Sequence, residues 1–217
     1  MAELLSKVDE NGAGAKVGEV FYETYAGVHE KNVQLADKIE ARYRESGLKI
    51  GKVAVPARGS WLLASDLTEW FGVGNDQLQS FSVQSYSGQQ QESPGQLVIA
   101  RTMPSHEEIE GEHFLVLDEV WESGHTLNFI ARYLKIMEAA SVCVATLYFK
   151  PGHNMITETE PNRPDVHVAE REDWIDFPWE RARRLRQPTP EVSQRTHERT
   201  TIWPDEYLEE LAAAQAA

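Results

Sequence analysis

The stretch LVLDEVWESGHT, residues 115–126, is an apolar run that ends on two adjacent carboxylates and then turns through Glu-Ser-Gly-His-Thr. Its first half has the unbroken hydrophobicity of a strand covered on both faces. Its second half suits an anion, because the unpaired N–H groups and the macrodipole of a helix N-terminus both favour a phosphate. Ser123, Gly124, His125 and Thr126 form the cradle in this reading. Gly124 lets the backbone approach closely and tolerates φ > 0, and the hydroxyls of Ser123 and Thr126 add donors. Asp118 and Glu119 are wrong for a phosphate but suit sugar hydroxyls and a hydrated Mg²⁺, held partly through water. A ligand that carries a 5′-phosphate beside a ribose diol satisfies both halves.

Outward from this stretch, strand and helix signals alternate. Before it, the apolar spacing over about 28–46 predicts a surface helix stopped at Gly47; LKIGKVAVPA (48–57) reads as a strand, RGS as a tight turn, and WLLASDLTEWFG (61–72) as a helix. FSVQSYS (81–87) and QLVIART (96–102) are strand candidates separated by the polar break SGQQQESPGQ (87–96), which reads as a mobile loop. After the central stretch come a helix from about Thr126 to Ala139 and the buried strand SVCVATLYF (141–149). This order predicts an α/β fold, a mostly parallel twisted sheet flanked by helices on both faces. Ligands of such sheets bind beyond the carboxyl ends of the strands, which directs attention to Arg58-Gly59-Ser60, to Asp118–Thr126 and to Lys150.

The bulk composition narrows the function classes. With 217 residues, 41% hydrophobic and 26% charged, the chain has the make-up of one globular α/β domain with appendages. A net charge of −14 opposes binding to nucleic-acid phosphates or anionic lipid. No apolar run approaches the length of a membrane span and no export signal is visible, so the expectation is a cytoplasmic protein without nucleic-acid or membrane partners. The single cysteine, Cys143, lies in an apolar strand and reads as a small hydrophobe rather than a nucleophile. HEEIEGEH (106–113) lacks metalloprotease spacing and reads as a solvated acidic loop.

The central stretch resembles the 5-phosphoribosyl-1-pyrophosphate signature of type I phosphoribosyltransferases, with Glu122 and Ser123 standing where that motif has Asp and Thr. VAVPARGSW (53–61) is similar to the family's strand followed by Arg-Gly-Gly, with Ser60 in place of the second Gly, a change tolerable only if Ser60 keeps an allowed φ. YFKPGHN (148–154) resembles the Lys-Pro segment, and REDWIDFPWE (171–180) the Asp-x-Trp-Ile-x-x-Pro-Trp ending, of xanthine–guanine and hypoxanthine enzymes. The matches run in the family's order over about residues 28–180.

What the resemblance implies is a purine phosphoribosyltransferase that transfers phosphoribosyl from 5-phosphoribosyl-1-pyrophosphate to a 6-oxopurine, with Mg²⁺ as cofactor and a homodimer or homotetramer as assembly. It implies roles as well: Glu122 as proton acceptor, Asp118 and Glu119 at the ribose and Mg²⁺, and Ser123, Gly124, His125 and Thr126 on the 5′-phosphate. Arg58, Gly59, Ser60 and Arg101 would face the pyrophosphate, while Lys150, Trp174 and Ile175 hold the base. Ser85, Tyr86 and 87–96 would close over the site. The expected organisation is a loose leader (1–18), the catalytic domain with a small hood formed by terminal segments (19–186), and a part-helical extension (187–217). Two alternatives stay open: a sensor of the same fold that binds nucleotide without turnover, and a transferase for another base.

Overall fold

The computed structural model describes residues 14–17, 20–57, 59–81, 83–84, 98–99 and 103–179. Helix α1 (Tyr25–Ser46) starts at Thr24, whose hydroxyl accepts from Gly27 N at 2.9 Å, satisfying one of the helix's orphan donors. Its Val28, Leu35, Ala36, Ile39 and Tyr43 recur at helical spacing and are buried. Helix α2 (Trp61–Phe71) likewise buries Leu63, Ala64 and Leu67.

Strands β3 (Lys52–Pro56), β4 (Leu78–Phe81), β7 (His113–Trp121), β8 (Ser141–Phe149) and β9 (Val166–Glu170) form one five-stranded sheet of order β4-β3-β7-β8-β9. Every neighbouring pair is parallel. The two central strands carry the longest apolar runs because both of their faces are covered. Phe114, Val116 and Val144 share a core cluster with Leu127, Ile130 and Leu134 of helix α4 (His125–Ile136). Leu115 and Leu117 alternate with them and are equally buried, on the face packed by α1 and α2.

The terminal segments contribute a second, three-stranded sheet of order β1-β2-β10, made of β1 (Gly14–Val17), β2 (Val20–Glu23) and β10 (Trp174–Asp176). The expected hood is this sheet. Within the expected leader (1–18), Gly14–Val17 pairs antiparallel with β2, in register Gly14↔Glu23 to Val17↔Val20, and residues 1–13 and 18 lie outside the described residues. The ladder is a backbone feature, and the glycine-rich side-chain pattern hides it.

Two more expectations change. FSVQSYS and QLVIART, the two strand candidates, contribute differently from a pair of main-sheet strands: among the described residues, β5 (Val83–Gln84) and β6 (Val98–Ile99) pair with each other, antiparallel, while the strand that joins the main sheet, β4, ends at Phe81. The acidic segment after Ser105 is not a loop at its start but a short helix, α3 (His106–Ile109), in which Ile109 is fully buried and the Glu108 carboxylate accepts from Ser105 N at 2.8 Å. Ser85, Tyr86, the loop 87–96, Arg58, Arg101 and the extension 187–217 lie outside the described residues.

The chain divides into two compact units, residues 1–175 and 176–217. The described part of the second is 176–179, where the Phe177 and Trp179 rings stack at 4.8 Å. Among the described residues, no helix is long and apolar enough to cross a membrane.

Candidate active site

The parallel register of β7 and β8 runs from His113↔Ser141 to Trp121↔Phe149, so the next residue of each strand emerges at the same level. Those residues are Glu122 and Lys150. Lys150 Nζ lies 2.7 Å from Glu122 Oε1, and the lysine is only 3% exposed. A buried ammonium needs a hydrogen-bonded counter-charge, and this carboxylate supplies it. The same Nζ stands 5.5 Å from the centroid of the Trp174 ring, within cation–π range. Two residues expected on the base, Lys150 and Trp174, are therefore adjacent; Ile175 is buried one position further along β10.

One strand over, the turn after β3 faces the two acids at the end of β7. The Ser60 hydroxyl donates to Asp118 Oδ1 and approaches Glu119 Oε2 at 2.9 Å. Ser60 has φ −69° and ψ −7°, an allowed conformation, so a non-glycine residue fits here without strain. At Gly59 a Cβ would overlap the Glu119 carboxylate, so a larger residue there requires that carboxylate to move aside. Asp118 keeps part of its surface in solvent. Its carboxyl is nevertheless held well above the ordinary 3.8, first by burial and then by the negative charge of Glu119, against the hydrogen bond from Ser60. Two carboxylates enclosed together in this way hold a proton or a cation between them more readily than two full charges.

Between these two pairs runs the loop Glu122–Gly124. Gly124 is left-handed, φ 84° and ψ −15°, and begins α4 with no side chain capping the helix. The first-turn donors of α4 are thus open to an anion. Ser123, His125 and Thr126 surround them, with His125 Nδ1 3.2 Å from Ser123 Oγ.

Sequence reasoning misses two features of this neighbourhood. The bond from Ser60 to the acids is one; its only signal in the sequence is a hydroxyl residue following a strand that comes to lie beside β7. The other is the anchoring of the hood. Glu23, at the end of β2, is fully buried, receives Thr24 N at 2.9 Å and Lys31 Nζ at 3.1 Å, and accepts a hydrogen bond from the Tyr148 phenol. Burial and the Glu23 charge push that phenol's pKa up, so it stays a donor. The Arg171 guanidinium stacks 3.7 Å from the centroid of the Phe21 ring on the same strand. These contacts fix the hood sheet, and with it Trp174, against the core.

Comparison with known proteins identifies the family and the fold. Residues 28–183 match the family model described as the phosphoribosyl transferase domain. Hypoxanthine phosphoribosyltransferase of Escherichia coli (strain K12) is 25% identical over 131 residues, 60% of this chain and 71% of the relative. The enzyme of that name from Buchnera aphidicola is 27% identical over 118 residues, 54% of this chain and 64% of the relative. Among solved structures, purine phosphoribosyltransferase from Pyrococcus horikoshii superimposes with a TM-score of 0.57 at 25% identity, covering 74% of this chain and 93% of that one. Hypoxanthine phosphoribosyl transferase of Trypanosoma cruzi shares the fold with a TM-score of 0.53 at 22% identity, over 67% of this chain and 74% of its own.

Proposed function

The chain belongs to the phosphoribosyl transferase domain family, and from that premise we propose that it transfers the phosphoribosyl group of 5-phosphoribosyl-1-pyrophosphate to a 6-oxopurine, a cytoplasmic salvage reaction that releases pyrophosphate. The observation that carries the choice of base is the Lys150–Glu122 pair, 2.7 Å apart beside the Trp174 ring. It offers one donor and one acceptor side by side. A 6-oxopurine presents the complementary edge, an acceptor at O6 next to the ring nitrogen N7, which carries a proton in one tautomer. An aminopurine turns an N–H donor toward the lysine, which has no acceptor to return. Trp174 supplies a face for stacking.

In this mechanism the purine ring nitrogen attacks C1 of the ribose. The C1–N bond forms as the C1–O bond to the diphosphate breaks, and the proton on the imidazole ring passes to the Glu122 carboxylate. Positive charge develops on the sugar, where Asp118 and Glu119, beside the ribose hydroxyls, stabilise it. Ser123, Gly124, His125 and Thr126 hold the 5′-phosphate on the open N-terminus of α4. Gly59, Ser60, Arg58 and Arg101 belong to the pyrophosphate side.

Mg²⁺ fits the acid pair. Asp118 and Glu119, the first held from full ionisation by burial and then by the charge of the second, would hold a hard, hydrated cation. When bound, the cation supplies positive charge to the leaving group. The resemblance to oligomeric relatives supports a homodimer or homotetramer.

The test is pyrophosphate release from 5-phosphoribosyl-1-pyrophosphate and Mg²⁺ with xanthine, guanine, hypoxanthine, adenine, uracil and orotate offered singly. Turnover confined to oxopurines is the expected result. Turnover with adenine or a pyrimidine overturns the base assignment, and tight nucleotide binding with no turnover on any base leaves a sensor instead of an enzyme.

A further inference from the structure

Trp121, the last residue of β7, is fully buried and is the largest such side chain among the described residues. Nothing in the transfer reaction requires an aromatic residue there. Its ring nevertheless lies directly under the phosphate loop: a Cβ on Gly124 would sit 2.5 Å from the indole Nε1 and 2.8 Å from Cε2 and Cζ2. The loop Glu122–Gly124 is wrapped over this plane. Because no side chain caps α4, the platform holds the loop where a local capping bond would otherwise do so.

The orientation of the plane is itself set. The indole Nε1–H donates to Asn154 Oδ1 at 3.1 Å. Asn154 belongs to the loop that follows Lys150, and its amide donates to Asn162 O at 2.7 Å and Ile156 O at 3.3 Å, while its Oδ1 also accepts from Ile156 N at 3.2 Å. Two backbone bonds join the same pair of loops, Met155 N to Ser123 O at 3.1 Å and Lys150 N to Trp121 O at 2.9 Å. A leucine or phenylalanine would fill the space of the ring, but only an indole carries an N–H that must find a buried acceptor, and the direction of that bond fixes the ring's rotation.

We propose that Trp121 and Asn154 are a positioning pair for the 5′-phosphate loop: their hydrogen bond holds the indole at the angle that shapes Ser123–Thr126 and ties that loop to the one carrying Lys150. Neither residue touches substrate. They act through Gly124 and Ser123, and the assignment rests on the reading of Ser123–Thr126 as the phosphate cradle. Outer residues of this kind govern affinity for the group that the inner residues bind.

The experiment compares Trp121→Phe, which keeps the ring and loses the N–H, with Asn154→Ala and with both changes together. Each is assayed for kcat and for the Michaelis constants of the purine and of the phosphoribosyl donor, and is titrated calorimetrically with a nucleoside 5′-monophosphate. Each single variant is expected to raise the donor's Michaelis constant about tenfold, while kcat and the purine's constant change less than about twofold. The double variant should be no worse than the weaker single one, since both changes remove the same bond. A purely structural contact would lower the melting temperature without this split between substrates, and that result overturns the proposal, as does additivity in the double variant. If Trp121→Phe fails to fold, Asn154→Ala, a change in a polar loop, carries the same comparison. A wild-type protein that neither binds the monophosphate nor uses the phosphoribosyl donor defeats the reading of the site itself; normal binding in wild type and in both variants defeats this inference alone.

Discussion

Lys150 Nζ and Glu122 Oε1 face each other at 2.7 Å across the ends of two adjacent parallel strands. The pair joins the residue that would accept the purine's proton to the residue that would read its oxo group. Glu122→Gln keeps the side chain's length and removes its basicity. Pyrophosphate release should fall by about 10²–10⁴-fold, the usual contribution of a general base. Activity within tenfold of wild type would remove Glu122 from that role. Glu122→Ala should also destabilise the fold by about 3 kcal/mol, because Lys150 is left buried without this counter-charge; urea denaturation measures it.

Gly59→Ala should act on the acids rather than on the fold. The added methyl displaces the Glu119 carboxylate from beside Ser60. Expected is a rise of about tenfold in the Mg²⁺ concentration that half-saturates pyrophosphate release, with a small change in stability. An unchanged Mg²⁺ dependence would show that Glu119 has room to move away.

Asp118→Asn should make the protein more stable and less active. The carboxyl's folded pKa lies above its ordinary 3.8, so the stability it contributes is complete below that value and is lost as pH rises through the raised one. Removing the ionisable group therefore raises the urea midpoint at pH 7–8 in the absence of Mg²⁺, and flattens the dependence of that midpoint on pH between 4 and 8. Wild type should recover part of the difference when Mg²⁺ is added. A variant less stable than wild type at pH 8 would contradict the enclosure of the two charges.

Cys143 should be silent. It is the chain's single cysteine, and its thiol is pushed up to about 12 by burial and by the charge of Asp165. A disulfide reagent at pH 8 should label the native protein at least about 10³-fold more slowly than the urea-unfolded one, because the thiolate is the reacting species. Rapid labelling of native protein would mean that β8 opens readily.

Much of this architecture is legible in the residues. The strand Ser141–Phe149 carries its own apolar run from end to end, and α2 lies where WLLASDLTEWFG shows helical spacing. Asp118 and Glu119 close the apolar run within β7, and Glu122 follows that strand directly ahead of α4, so their surroundings are readable as well. What the residues do not reveal is which strand lies beside which. The contacts of Ser60 with Asp118 and of Lys150 with Glu122 join segments far apart in the chain, and their side chains meet only through strand order and register. β1 is hidden for a related reason, since its partner β2 recognises its backbone. Val83–Gln84 and Val98–Ile99 fall within the two strand candidates FSVQSYS and QLVIART, but their antiparallel pairing with each other is a matter of strand partnership that the residues do not reveal.

Both central strands are nine residues long and are paired from their first residue to their last. The sheet therefore works as a gauge, and the distance between acid and lysine is a count of residues as much as a matter of chemistry. Deleting a single residue from the middle of β8 would invert the faces of everything beyond it and draw Lys150 one step, roughly 3.3 Å, out of line with Glu122. Point substitutions that keep the apolar character of these strands should drift freely in a lineage, whereas insertions and deletions within them should be purged. Length variation among active relatives is accordingly expected in the connections that precede β7 and follow β8, and not in the strands themselves.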